Sequence, residues 1–275
     1  MGHPANHRLP EGVLQAALAE SPGDLDNTRM ALLRRVAAVL ADLVYPPTCA
    51  LCDRTLASED PDWCPDCARE VLAATATDYC HRCGAKAEPY LVDDDGCKHC
   101  RDAPARIDGL ARVGPYEGPI GELVRRYKYN GVQRLDRLLG TMLANTIRSQ
   151  SWCAHLDAMV PVPASFAERW RYQFYPVALL AQAAARELGV PALPLLVVGG
   201  KKRRQVELSP SERAANVRGK FRLHRHARVG GARLCLIDDV ATSNATIREC
   251  AAVLKRAGAA EVYAAVLAKA GADRT

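Results

Sequence analysis

The chain has 275 residues, 49% of them hydrophobic and only 5% aromatic, so its packed core must be built from Ala, Leu and Val across about two domains. The net charge of +6 is unevenly spread: Tyr45 to Cys100 holds eleven Asp and Glu against five Lys and Arg, a balance of −6 that leaves +12 for the rest. A polyanion should therefore meet the second part of the chain. No early stretch joins a basic start to an apolar core and a cleavage site. The best apolar stretch, Met30 to Val44, is too short and too charged to span a bilayer. These features predict a soluble cytoplasmic protein with no membrane insertion.

Residues 1–27 are rich in proline and poor in periodicity, which predicts a mobile tail. Residues 28–44 carry apolar Met30, Leu33, Val36, Ala37 and Leu40 along one helical side, and Pro46 and Pro47 stop this amphipathic helix.

Eight of the eleven cysteines then fall in four Cys-x-x-Cys pairs. Cys49 and Cys52 precede Cys64 and Cys67; Cys80 and Cys83 precede Cys97 and Cys100. Two thiolates on one tight turn reach the same ion, and two such turns complete a tetrahedron. The pattern predicts two structural zinc ions in a double zinc ribbon over 45–104, each with four thiolates and no open position. Sequential pairing assigns the first four cysteines to one ion and the last four to the other; cross-braced pairing is the alternative. The acidic balance gives this module no basic face for nucleic acid and suits it to docking. Cys153, Cys235 and Cys250 stand alone and read as small buried residues.

Pro104 marks a linker, and residues 105–275 then alternate strand and helix. Ile107 to Tyr116 reads as a strand. Ile120 to Tyr129 and Gln133 to Ile147 read as helices. Lys128 lies between them, either as a cation at a helix C-terminus or as a phosphate contact. Leu156 to Pro163 reads as a buried strand ending in a proline-fixed turn, Tyr175 to Gly189 as a helix, and Leu193 to Val198 as a second strand. Residues 199–228 hold ten Lys and Arg against Glu207 and Glu212. This stretch is either a solvated loop or a lid carrying Lys201, Arg203 and Arg204 to an anionic leaving group.

Leu234 to Ile237 is a short apolar run suited to a buried strand. Asp238 and Asp239 follow, then Thr242, Ser243, Asn244, Ala245 and Thr246, then a helix from Ile247 to Ala257. The last strand is Val262 to Ala268. A helix N-terminus with hydroxyls beside it holds a phosphate, and the acids before it accept bonds from sugar hydroxyls or face a hard cation. The order of elements predicts a parallel α/β sheet with right-handed crossovers and a ligand at the carboxyl ends of its strands.

Asp238 to Thr246 resembles the phosphoribosyl-pyrophosphate signature of type I phosphoribosyltransferases, with Asn244 where that signature has glycine. Asn tolerates a positive φ better than other side chains. The layout from about Val44 to Lys269 resembles the ComF family of competence-associated, phosphoribosyltransferase-like proteins. The matching pieces are the double ribbon, Lys128 to Gly131, Val160 to Pro163 with Arg169, Gln205, Leu208, Ser209, Arg213, Asn216 and the acidic-pair turn. Residues Arg171, Tyr172, Gln173, Phe174 and Tyr175 depart from the family's usual Arg-Gly-Phe-Asn-Gln. The resemblance implies a phosphoribosyltransferase, or its remnant, that binds phosphoribosyl pyrophosphate with Mg²⁺. Asp238 and Asp239 would hold the ribose. Thr242 to Thr246 would take the 5-phosphate, with Lys128, Arg169, Lys201, Arg203 and Arg204 on the pyrophosphate side. The alternative is a non-catalytic adaptor in DNA uptake that binds single-stranded DNA and docks a helicase.

Overall fold

The computed structural model describes residues 46–57, 62–87, 92–93, 96–98, 100, 107–129, 135–164, 175–199 and 219–271. The expected tail, the 28–44 helix, the linker, Arg169 and the segment 200–218 lie outside these residues. By its contacts the chain divides into two compact units, Met1–Cys64 and Pro65–Thr275.

In the first unit, the chain turns tightly around Cys49. The Cys49 amide donates to Arg54 O at 2.8 Å, Asp53 takes φ 60°, and Thr48 pairs with Thr55.

The second unit opens with α1 (Pro65–Thr75) and continues into the second cysteine ribbon, where β1 (Val92–Asp93) and β2 (Gly96–Cys97) pair antiparallel. Then come β3 (Gly109–Pro115), α2 (Pro119–Tyr129), α3 (Leu135–Arg148), β4 (Ala158–Pro161) and α4 (Pro176–Leu188). The last elements are β5 (Leu196–Val198), β6 (Phe221–Leu223), β7 (Arg233–Ala241), α5 (Ala245–Arg256) and β8 (Glu261–Lys269). The fold is α/β: a four-stranded, all-parallel sheet in the order β3-β8-β7-β4, preceded by the cysteine-rich ribbon.

The two central strands explain themselves in sequence. Strands covered on both faces read as continuous apolar runs. Leu234 to Ile237 in β7 and Val262 to Ala268 in β8 are such runs, all buried. Small side chains replace aromatic bulk. Gly140 of α3 sits so close to α4 that a Cβ there would lie 2.3 Å from Ala183 Cβ. Gly189 ends α4 in the left-handed region at φ 68°.

Two expectations change. The strand at Leu193 to Val198 does not join the parallel sheet. Only Ala192 makes a parallel bridge, to Met159; β5 then pairs antiparallel with β6, a strand inside the stretch read as a loop. Cys153 is half-buried rather than fully buried, whereas Cys235 and Cys250 are buried as expected. Among the described residues, no helix is long and apolar enough to cross a membrane.

Candidate functional site: an acidic strand end, an uncapped helix and two cysteine clusters

β7 runs further than the initial apolar reading. It includes Asp238 and Asp239 and pairs with β8 as far as Ala241, opposite Lys269. On its other side, pairing with β4 ends at Pro161 opposite Ile237, followed by one bond from the Val162 amide to Ile237 O at 2.9 Å. The acids therefore lie on the strand edge that opens beyond the end of β4.

Neighbouring residues of a strand face opposite sides of the sheet. Asp239 is buried and takes an ion pair from Lys128 Nζ at 2.8 Å; its charge also acts on the buried Tyr127 of α2. Asp238 is half-buried, acts on Cys250 of α5, and accepts the Asp239 amide at 2.9 Å through Oδ1. The two acids thus address different faces of the sheet.

After Ala241 the chain turns into α5. Thr242 and Ser243 are exposed, and Ala245 and Thr246 half-buried. Asn244, at the N-cap, has φ 59°, is 4% exposed and makes no side-chain cap bond. Its Nδ2 donates instead to Cys83 O at 2.8 Å. The side chain leaves the turn and enters the second ribbon. The first helical bond runs from the Arg248 amide to Asn244 O. No described residue accepts from the amides of Ala245, Thr246 or Ile247. These unpaired N–H groups carry the positive end of the helix dipole.

The cysteines meet in sequence order. The ligand atoms of Cys49, Cys52, Cys64 and Cys67 lie within 4.8 Å of one another, as do those of Cys80, Cys83, Cys97 and Cys100. Sulfur pairs are 3.7 Å apart at Cys80–Cys100, 3.6 Å at Cys83–Cys97 and 3.9 Å at Cys97–Cys100. A zinc tetrahedron with Zn–S near 2.3 Å has edges of about 3.8 Å, whereas a disulfide needs about 2 Å. The residues fit zinc, and pairing is sequential. The hydrogen bond from Cys83 holds the Cys80 thiol below its usual range and pushes the Cys83 thiol up.

Three described side chains stand out that the sequence reading missed. Buried Arg112 of β3 reaches Thr77 Oγ1 and Asp78 O of the ribbon at 3.4 and 3.3 Å, with its guanidinium 5.1 Å from the Tyr79 ring. Buried Lys269, at the end of β8, donates through Nζ to Thr242 O; burial lowers its pKa to about 8. With Lys86, Thr77, Glu117 and Gly271 they line a pocket of about 190 Å³ beside the strand ends. A cation inside an otherwise apolar strand was the available signal for Arg112 and Lys269. The third is Tyr175, whose hydroxyl donates to Val162 O and accepts the Ala164 amide at 3.1 Å, bracing the turn after β4.

A family model for the double zinc ribbon domain matches residues 40–103. The chain is 27% identical over 212 residues to Competence protein F of Haemophilus influenzae, covering 75% of this chain and 90% of that protein. It is 30% identical over 225 residues to the DNA utilization protein YhgH of Salmonella typhi, covering 80% of this chain and 96% of that protein. This chain belongs to the ComF family.

The ComF sheet also has a weak likeness to a solved structure of the allosteric regulatory enzyme of purine biosynthesis. That match has 24% identity and a TM-score of 0.37 over 52% of this chain and 30% of that one, too low to carry weight. Of the residues that the family resemblance nominates, Asp238, Asp239, Thr242 to Thr246 and Lys128 come together at one strand end. Arg169, Lys201, Arg203 and Arg204 lie outside the described residues.

Proposed function

We propose that this ComF-family protein binds phosphoribosyl pyrophosphate with Mg²⁺ and transfers the phosphoribosyl group, in DNA uptake or in nucleotide metabolism. The observation carrying this reading is the uncapped turn at Ala245 to Ile247, with the Asn244 side chain directed away from it. The three amides and the hydroxyls of Thr242, Ser243 and Thr246 suit the 5-phosphate. The carboxylate oxygens of Asp238 and Asp239 accept hydrogen bonds from ribose hydroxyls or face a hydrated Mg²⁺. Lys128, already on Asp239, brings a cation to the pyrophosphate side, where we also assign Arg169, Lys201, Arg203 and Arg204.

In the reaction, the bond between ribose C1 and the pyrophosphate oxygen breaks, and the electron pair leaves with pyrophosphate. The acceptor's lone pair then bonds to C1. The acids steady the positive charge that builds on the sugar. No protein nucleophile is required. Residues 45–104 form the docking module and residues 105–275 the transferase domain in this reading, and the acceptor is a base or a nucleic-acid end. Calorimetry with phosphoribosyl pyrophosphate and Mg²⁺ tests it: saturable binding is expected, lost in Asp238→Asn/Asp239→Asn. Heat of binding that survives the double substitution overturns the site. Pyrophosphate release over a panel of bases tests transfer itself.

A second reading rests on residues 220–228. Arg222, His224, Arg225, His226 and Arg228 are all exposed along and beyond β6. Such a strip suits a single-stranded DNA backbone, with the acidic ribbon left to dock a helicase. A gel shift of labelled single strands that weakens with salt, and weakens again when these residues are neutralised, supports this role. Unchanged mobility at low salt removes it.

A further inference from the structure

We infer that Asn244 is a positioning residue that couples the second cysteine cluster to the helix turn, so that zinc on Cys80, Cys83, Cys97 and Cys100 holds the Ala245 to Ile247 amides in their convergent form. Asn at an N-cap ordinarily turns its side-chain oxygen back onto its own helix. Asn244 gives up that bond. Its Nδ2 donates to Cys83 O, and its buried Oδ1 has no partner among the described residues. Rotating the amide would set two oxygens against each other, so the contact has one orientation. The residue keeps a left-handed backbone and an orphaned acceptor in order to touch a zinc knuckle.

That knuckle is a single hydrogen-bonded unit. The Cys80 amide donates to Ala85 O at 2.9 Å, and the Cys83 and Gly84 amides donate to Cys80 O at 3.2 and 2.7 Å. The carbonyl that Asn244 touches therefore stands where the metal-binding turn puts it. Metal draws Cys80 and Cys83 to Cys97 and Cys100; without it the thiolates repel or protonate, and the turn loses its anchor.

A second path joins the same parts. Gly84, at φ 77°, lies against Leu110 and Lys269: a Cβ there would sit 2.7 Å from Leu110 Cδ2 and 3.5 Å from Lys269 Cδ. Lys269 in turn holds Thr242 O. The knuckle thus touches both ends of the turn, through Asn244 at one and Lys269 at the other.

Asn244→Gly is the informative variant. Glycine keeps the positive φ, removes the orphaned oxygen and deletes only the link, so thermal stability stays near wild type. Hydrogen exchange of the Arg248 amide, which closes the turn on Asn244 O, is compared in wild type and Asn244→Gly, each with zinc bound and after chelation, with residues 262–268 of β8 as the reference. With zinc bound, the variant's turn should exchange about tenfold faster, the effect of losing one ordinary hydrogen bond, while β8 stays protected. Chelation should accelerate the wild-type turn more than the variant's, which keeps only the path through Lys269. If chelation opens β8 as well, the zinc-bound pair alone decides. Equal exchange in the two zinc-bound proteins overturns the coupling. Asn244→Asp, which sets a carboxylate against the Cys83 carbonyl, should behave like the glycine variant; protection equal to wild type counts against the link.

The reciprocal arm rests on the phosphate reading above: ribose 5-phosphate should slow zinc release to a chromogenic chelator in wild type and not in Asn244→Gly. If exchange behaves as expected while ribose 5-phosphate does not bind, the coupling stands and the phosphate reading falls.

Discussion

Replacing Lys128 with methionine keeps the length and most of the volume of the side chain while removing the cation from Asp239. At the 2.8 Å separation of Nζ and Oδ1, two unit charges attract by about 6 kcal/mol at an effective dielectric of 20. Much of that is offset, because folding also strips water from both groups. Breaking a fully buried pair costs about 3–5 kcal/mol, since the remaining charge is left uncompensated. Here 21% of the Lys128 side chain and 10% of the Asp239 side chain still reach solvent, so water recovers part of that loss. The expected cost is about 2–3 kcal/mol, a Tm decrease on the order of 5–10 °C for a unit of this size. Thermal denaturation of Lys128→Met, Asp239→Asn and the double variant measures it. The double variant should be less destabilised than the sum of the singles by more than about 1 kcal/mol. Additive effects, or a Tm unchanged in Lys128→Met, would refute the ion pair as a contributor to the stability of the fold.

Gly140→Ala should lower Tm: the helix gains about 1 kcal/mol in propensity, but the new methyl overlaps Ala183 and overpacking costs about 1–3 kcal/mol. A rise in Tm would mean that α3 and α4 are further apart. Metal analysis should find two zinc ions per chain, and one in Cys80→Ser/Cys83→Ser; a metal-free chain that keeps its fold would contradict the ribbon. Burial raises the Tyr127 phenol above its ordinary 10.0, while its hydroxyl donates to Pro176 O at 2.8 Å. A raised folded pKa means that this stabilisation is complete below pH 10 and is lost as pH rises through the folded value. Tyr127→Phe should therefore be less stable than wild type at neutral pH by about 1 kcal/mol, with the gap narrowing above pH 10. Parallel stability curves through pH 11 would contradict it.

Both cysteine clusters, the strands and helices that build the parallel sheet and its cover, and the place of the acidic pair ahead of a helix were legible in the amino-acid sequence. Each is a local property. Two thiolates on one turn, an apolar run of strand length and an apolar stripe at helical spacing are set by neighbours a few residues away. Long-range partners were not legible. Leu196 to Val198 has the composition of a sheet strand, yet the chain offers it β6 rather than the parallel sheet, and nothing in the run itself chooses between them. Asp238 and Asp239 read as one acidic pair until β7 extended through them and the alternation of the strand sent them to different sides. Arg112 and Lys269 drew no functional reading from their strands, and it is the ribbon and the sheet that bury them. Asn244 is the sharpest case: its type and its left-handed backbone followed from the turn, whereas the acceptor of its amide lies 161 residues earlier in the chain. Local chemistry determined that a hydroxyl-rich turn leads from the acidic pair into a helix, and tertiary packing alone decided that its rim residue points at a cysteine knuckle.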